Sequence, residues 1–446
     1  VTFQNDSGAF QAAPWIQSAW TRTFACLHHH SGVDVSYLTR VFLALLLPAW
    51  AFATAAQAAT SPGPSDIHWV ASWGAAPDSP GRAFQAQTVR QVVRLSIGGA
   101  QIRIRLSNLF GEGPVTIGPV HAALHASGPA IEPGTDHAVT FGGKPTVTIA
   151  KGKDVLSDPV PLVVKPLQEL AISVYLPMQT GPSTMHNTAI QTAFIVPGDA
   201  TVATSLPSAE PDATRYFLTD VEVAATAQSR LIVAVGDSIT DGVGSTDDRN
   251  ARWPDALAAR LQADPALASV AVVNSGISGN RILNDGFDPF IGPSVLSRFD
   301  RDALDKPGVR WVLLLSGTND ISAANALPRP QDKVSAQQII EGMKTLIARA
   351  HARGIRIWGA TLSPRAGTRP PFYTEKGEAQ RREVNEWIRN SGAFDAVIDF
   401  EKVLRDPARP EALRPEFDSG DHLHPNDAGF RAMAESIDLG LFRRQP

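Results

Sequence analysis

Hydrophobic positions change their rhythm once along this chain, near Gln228. Upstream, over residues ~67 to 220, apolar and polar residues alternate in short runs broken by Gly, Pro and Asp. The clearest run is Gln101-Ile102-Arg103-Ile104-Arg105-Leu106. A period of two turns Ile102, Ile104 and Leu106 toward a core and the two arginines toward water or a neighbouring domain. The same pattern predicts strands over 90–97, 114–123, 146–149, 160–164 and 170–175. Many short strands separated by turn residues predict an antiparallel β-sandwich or jelly-roll domain over 66–225, preceded by the linker Ser61-Pro62-Gly63-Pro64-Ser65.

Beyond a second linker around 205–214, uninterrupted apolar runs take over at 231–235, 270–273, 311–315, 356–362 and 396–400. They alternate with stretches of helical character at 254–263, 335–353, 376–389 and 426–437. A strand that is apolar on both faces needs cover on both faces, so this alternation predicts an α/β domain over 229–446 with a parallel sheet between helices. No internal repeat is evident.

The segment Arg40 to Ala59 has a different character: a basic residue, an apolar stretch and the small-x-small pattern Ala56-Gln57-Ala58. It reads as a secretory signal cleaved near Ala58, with 1–58 absent from the mature protein. Pro48 and the small residues after it favour cleavage over a retained membrane anchor. The expected location is therefore secreted or periplasmic. No methionine precedes Met178, which adds the expectation of a non-methionine start codon, with residues before about Val33 as upstream over-translation. The one cysteine, Cys26, falls in the same leader, so the exported protein is expected to hold no disulfide and to rely on its core.

Composition narrows the partners. The 446 residues carry a net charge of -4 and are 43% hydrophobic, enough for a large core and without the basic excess that nucleic acid or anionic lipid would need. Cys26, His28, His29 and His30 have the composition of metal ligands but lie in the leader, and Gly142-Gly143-Lys144-Pro145 reads as a turn rather than a phosphate loop. Neither metal nor organic cofactor is expected.

The candidate chemistry gathers where strands end. Gly236-Asp237-Ser238-Ile239-Thr240 follows the first apolar run, Asn274-Ser275-Gly276-Ile277-Ser278-Gly279 the second and Gly317-Thr318-Asn319-Asp320 the third. Asp421-His422-Leu423-His424-Pro425 comes after the fifth and before the last helix. In an open α/β sheet the ligand crevice lies outside the carboxyl ends of the strands, so these loops are expected on one edge. A serine becomes a nucleophile when a histidine takes its proton, and a carboxylate orients that histidine and stabilises the imidazolium. Ser238 alone is equally a helix N-cap, Gly279 a turn glycine and Asn319 an Asx-turn residue. Asp237 is expected to order its loop.

In these four blocks, GDSIT, NSGISGN, SGTND and DHLHP, the stretch ~230 to 440 resembles the SGNH, or GDSL, hydrolase superfamily. The resemblance implies a flavodoxin-like three-layer α/β/α SGNH hydrolase domain. In it Ser238 attacks an ester carbonyl, His424 is general base and then acid, and Asp421 orients His424. It also implies an oxyanion hole made of the Ser238 and Gly279 backbone N–H groups and the Asn319 side-chain amide. Spacing in that family selects His424 over His422, and Asp421 over Asp418. Thr240 stands where a Gly-x-Ser-x-Gly elbow would need its second glycine, which speaks against an α/β-hydrolase.

The Trp69-Val70-Ala71-Ser72-Trp73-Gly74 segment gives the amino-terminal part a weaker likeness to the extra domain of secreted bacterial GDSL esterases. Trp69 and Trp73 are candidates for stacking on sugar rings, although strand aromatics are more often core residues. His186 is a candidate for the crevice, with a structural role as its alternative. The expected function is a secreted serine esterase acting on small-molecule or polysaccharide esters, including acetyl or other acyl esters of carbohydrates. The alternatives are a lipase or acyltransferase on lipid esters, and a glycan-binding protein with an inactive hydrolase domain. Oligomeric state is left open.

Overall fold

In a computed structural model, which describes residues 67–443 apart from 370 and 371, the downstream half is built on five parallel strands. They are Arg230–Gly236, Val270–Gly276, Val309–Leu315, Arg356–Ala360 and Ala396–Ile398. Numbered along the chain, they lie side by side in the order 2-1-3-4-5, and every pairing is parallel. The predicted leader, Cys26 and the His28 to His30 cluster lie outside the described residues. Leu231 to Val235 and Val312 to Leu315 are buried, as strands covered on both sides must be.

Two of the apolar runs are longer than their strands. The last ends at Ile398 because Asp399 caps a helix, Phe400–Leu404, accepting from the Lys402 N–H. The helices Trp253–Gln262, Ala336–Ala352, Glu375–Asn390 and Asp427–Ser436 fall within a residue or two of the predicted stretches. Ala336–Ala352 opens with a reciprocal capping box between Ser335 and Gln338. Thr318–Ala326 is also helical, a helix not predicted from sequence. Its few large apolar residues give too weak a period to read. Among the described residues no helix is long and apolar enough to cross a membrane.

The upstream part is antiparallel throughout. A four-stranded sheet runs His68–Gly74, Leu218–Ala225, Ile102–Ser107, Asp154–Leu156, and a larger one centres on Gln87–Arg94, Glu169–Leu176 and Val120–Ser127. The predicted strand at 114–123 divides at Gly118-Pro119 into Val115–Ile117 and Val120–Ser127. The predicted strand at 160–164 does not form: Val160 and Val164 make only isolated bridges, to Ile102 and Gly99. Pro159 and Pro161 flank Val160, and neither can donate to a ladder.

Ile102, Ile104 and Leu106 are fully buried. Arg103 and Arg105 are half-buried because they reach carboxylates. Arg103 Nε donates to Glu222 at 2.5 Å, while Arg105 donates to Asp154 at 2.5 Å and Glu222 at 3.3 Å. Trp73 lies in the core, and the face of Trp69 is covered by the Arg103 guanidinium at 4.3 Å. Trp73 is thereby closed to a sugar ring, and one face of Trp69 is taken.

The β-rich part closes one margin of the parallel sheet. Val270–Gly276 is an edge strand, and its outward Val272 N–H donates to Ser96 Oγ at 3.0 Å while that hydroxyl donates to Ser72 O at 2.8 Å. An edge left bare would present unpaired backbone groups. The Lys306–Asp220 ion pair, the Asn250–Glu169 hydrogen bond at 2.8 Å and a pair of bonds from Thr192 to Asp248 add further ties. One continuous hydrophobic cluster includes Val70, Ile104 and Val223 together with Val233, Val273 and Leu313.

Ser96→Ala should cost about 1–3 kcal/mol, the penalty for a buried N–H left without a partner. Urea denaturation of the variant beside the parent protein measures it.

Candidate active site

The first strand ends at Gly236, where a β-carbon would collide with Thr240 and with the Leu315 carbonyl, so only glycine lets the chain turn this tightly. Asp237 is the N-cap of the short helix Ser238–Asp241, its carboxylate accepting from the Ile239 N–H at 3.1 Å. Asp237 therefore orders the loop, and burial pushes its carboxyl up to about 7. Ser238 heads the helix at 8% exposure, and its own N–H, at the helix start, has no intrahelical acceptor.

The His424 loop is built from short-range bonds. Asp421 Oδ1 accepts from the N–H groups of Leu423 (2.9 Å) and His424 (2.8 Å), and its Oδ2 lies 2.5 Å from His424 Nδ1. Burial alone would raise the Asp421 carboxyl, but the ring and the two N–H groups hold it well below the usual carboxylate range. Asp418 and His422 form a second pair at 2.6 Å beside the first, so each acid of the loop has its own histidine. His422 is turned away at φ +64 and exposed. His424 Nε2 instead meets Ser238 Oγ at 2.8 Å, across 186 residues of sequence. Thr246 clamps the two loops together by donating its N–H and its hydroxyl to the two oxygens of Asp427, each at 2.8 Å.

Two further donors come from the predicted loops. Gly279 has φ +76, a left-handed conformation that favours glycine, and a β-carbon on it would lie 3.1 Å from Ile291. Among the described residues its N–H donates to no protein acceptor. Asn319 gives one amide hydrogen to Asn280 O at 3.1 Å, which leaves its second free. Asp320 next to it accepts from Ile282 and Leu283 N–H at 2.8 and 3.0 Å, tying the third-strand loop to the second. Burial pushes the Asp320 carboxyl up to about 6. The chemical content is a serine with a proton acceptor, an oriented imidazole and N–H groups without partners.

Three residues beneath this arrangement, Arg298, Asp241 and Asp78, were not singled out from sequence. Arg298, 1% exposed, donates to Gly236 O (3.1 Å), Ser275 O (2.8 Å) and Asn280 Oδ1 (3.0 Å) and pairs with Asp302. Its signal was a lone charge inside Val295-Leu296-Ser297-Arg298-Phe299. Asp241 takes both the N–H (2.9 Å) and the hydroxyl (2.8 Å) of Ser278 on one oxygen. Its other oxygen meets His186 Nε2 at 3.0 Å. His186 Nδ1 faces Ala76 O at 2.9 Å, with Asp78 at 3.7 Å.

His186 is thus a structural histidine of the β-rich part, packed under the site rather than lining it. Both its nitrogens face only acceptors, which requires the doubly protonated ring. Burial works against that charge, but Asp241 and Asp78 outweigh it and push the His186 pKa up to about 9.

Residues 234–432 match the model of the GDSL-like Lipase/Acylhydrolase family. The chain carries a domain of that family and is an ester hydrolase. No curated protein matches it. Among solved structures it is similar to a putative lipolytic protein of the G-D-S-L family from Desulfitobacterium hafniense DCB-2, at 23% identity over 47% of this chain and 97% of that one, with a TM-score of 0.35. It is also similar to the native aryl esterase of M. smegmatis, at 19% identity over 47% and 96%, with a TM-score of 0.37. A third is a catalytic mutant of an acetylxylan esterase from Geobacillus stearothermophilus, at 21% identity over 48% and 93%, with a TM-score of 0.36.

The His186 charge carries a pH dependence. A pKa raised from 6.5 to about 9 on folding contributes stability that is complete below 6.5 and lost as pH rises through 9. Between pH 7 and pH 9 the unfolding free energy should fall by about 2 kcal/mol from this group, and His186→Gln should flatten the slope. Urea titrations of both proteins at the two pH values provide the check.

Proposed function

We propose that the protein hydrolyses carboxylic esters through an acyl-enzyme on Ser238. The observation that carries the reading is the 2.8 Å contact of Ser238 Oγ with His424 Nε2, continued at 2.5 Å from Nδ1 to Asp421. His424 takes the hydroxyl proton as Oγ attacks the carbonyl carbon, then delivers it to the departing alkoxide. Asp421 stays ionised, as its depressed pKa favours, and stabilises the imidazolium. Water, deprotonated by the same imidazole, adds to the acyl carbon and releases the acid and free Ser238. The developing oxyanion is received by the Ser238 and Gly279 N–H groups and the free hydrogen of Asn319, donors fixed before the reaction begins.

We read the catalytic part as flavodoxin-like, on the 2-1-3-4-5 order of its parallel strands. The β-rich part is read as an accessory sandwich. The predicted leader supports export, and with export we favour acyl esters of carbohydrates as substrates; intact mass of the exported product would locate the cleavage.

A second reading, apolar acyl or aryl esters, is favoured by the loop beside Gly279. Its Ile291 touches that glycine, while Phe287 and Phe290 stand 50% and 48% exposed. A panel of acetylated saccharides, short aryl esters and lipid esters, with the released acids identified, separates the two.

Ser238→Ala should leave the fold intact and abolish turnover of a short-chain aryl ester; retained turnover would put the nucleophile elsewhere. Asn319→Ala should lower kcat by roughly 100- to 1000-fold, the usual cost of one oxyanion donor, with KM little changed, as read from steady-state kinetics.

A further inference from the structure

The β-rich part reaches the Gly279 loop by two separate paths. On the first, His186, at the end of the strand Ser183–His186, binds Asp241, and Asp241 holds both the N–H and the hydroxyl of Ser278, the residue before Gly279. On the second, Asp78 lies against Gly292, where a β-carbon would stand 3.3 Å from its backbone, and the adjoining Ile291 packs against Gly279. The two paths meet at their origin: Asp78 lies 3.7 Å from His186, and it accepts from the Asn187 N–H and the Ser79 hydroxyl, each at 2.6 Å.

Asp241 is the hub of the first path. It closes the helix that Ser238 begins, so one carboxylate links the nucleophile's helix to the loop bearing an oxyanion donor. Its own position is set by a charged ring from outside the catalytic part. His186 is 6% exposed, and the groups facing it are Asp78, Asp241 and the carbonyls of Ala76 and Thr188. Arg215 and Arg252 line the same small cleft. A neutral ring in this setting would leave one nitrogen lone pair against an acceptor, pushing Asp241 off. Buried carboxylates respond strongly to such a loss, since the partner charge is not replaced by water.

We propose that His186 is a positioning residue for ester hydrolysis: it fixes Asp241, which in turn fixes Ser278 and the Gly279 N–H at the place where the oxyanion forms. The β-rich part is then a working part of the active site rather than an appendage that delivers it to a substrate. The inference rests on the function proposed above. It predicts a defect in transition-state stabilisation, not in substrate binding, because the path ends on the Gly279 N–H, the donor that meets the developing oxyanion.

The test uses the intact chain and the variants His186→Gln, Asp241→Asn, their combination and Ser278→Ala, with a short-chain aryl ester as substrate. Circular dichroism and melting temperature establish folding. Each of the first two substitutions should lower kcat at least ~10-fold with KM within about 3-fold, and an aryl boronic acid, whose adduct on Ser238 places an oxygen in the hole, should bind more weakly in parallel. The combined variant should be no worse than the weaker single one by more than about 2-fold, since both break one path.

A lowered melting temperature with kcat and boronate affinity unchanged would make His186 a stabilising residue only and overturn the proposal, as would single defects that multiply. If His186→Gln and Asp241→Asn fail to fold, Ser278→Ala decides. It removes one of the two bonds that Ser278 gives to Asp241, and a kcat unchanged in that variant overturns the proposal, whereas a loss of about 3-fold or more at constant KM supports it. Parent protein inactive on every ester would defeat the proposed function itself; an active parent with insensitive variants defeats this inference alone.

Discussion

One buried guanidinium holds together the sheet edge that bears Ser238 and Gly279. Where neighbouring parallel strands part at their carboxyl ends, buried carbonyls call for donors beyond the ladder; Gly236 O takes the Ile277 N–H at 3.1 Å and has a lone pair left. Arg298 supplies those donors to Gly236 O on the first strand and Ser275 O on the second, and continues to the Asn280 side chain. Burial pulls its pKa down, and Asp302, itself shared with Arg301, opposes that. Removing one member of such a pair typically costs about 3–5 kcal/mol, because the remaining charge is stranded. Asn280 passes the constraint on by donating to the carbonyls of Ile291 and Pro293. The strand that leads to Ser238 and the loop that carries Gly279 are thereby fixed to one group.

Against that fixed edge, the acid and histidine arrive as a prefabricated unit. Asp421 and His424 are joined by local bonds that need no distant support, and only the contact with Ser238 requires the fold to be complete. The paired Asp418 and His422 show that the loop's geometry makes acid–histidine couples readily; what distinguishes His424 is the direction in which it projects. Specific chemistry thus depends on placement, while the couple itself is cheap to form.

Much of this was legible in the sequence, for identifiable reasons. Parallel strands announce themselves because both faces must be apolar, and the four loop blocks sit at their ends because that is where an open sheet binds ligands. Arg103 and Arg105 follow the alternation but lie half-buried, since carboxylates of a strand distant in sequence meet them. Thr318–Ala326 stayed hidden for want of large apolar residues, and 160–164 misled because Pro159 and Pro161, on either side of Val160, cannot donate to a ladder. Arg298, Asp241 and Asp78 carry no motif: their importance comes from burial and from partners far away in the chain, and neither is written in local pattern. His186 was visible as a candidate, but its partner across the junction was not.

The sealed margin of the parallel sheet has a bearing on how the protein behaves in a crowded medium. Ser96 occupies the outward amide of the second strand, and the opposite margin, Ala396–Ile398, is three residues long. A stray extended peptide therefore finds little on which to zip, and growth of stacked β-aggregates from this sheet is discouraged at both ends. Loss of the β-rich part would uncover a seven-residue edge at Val270–Gly276 that opens with four apolar residues, turning a well-behaved globule into a nucleus for precipitation.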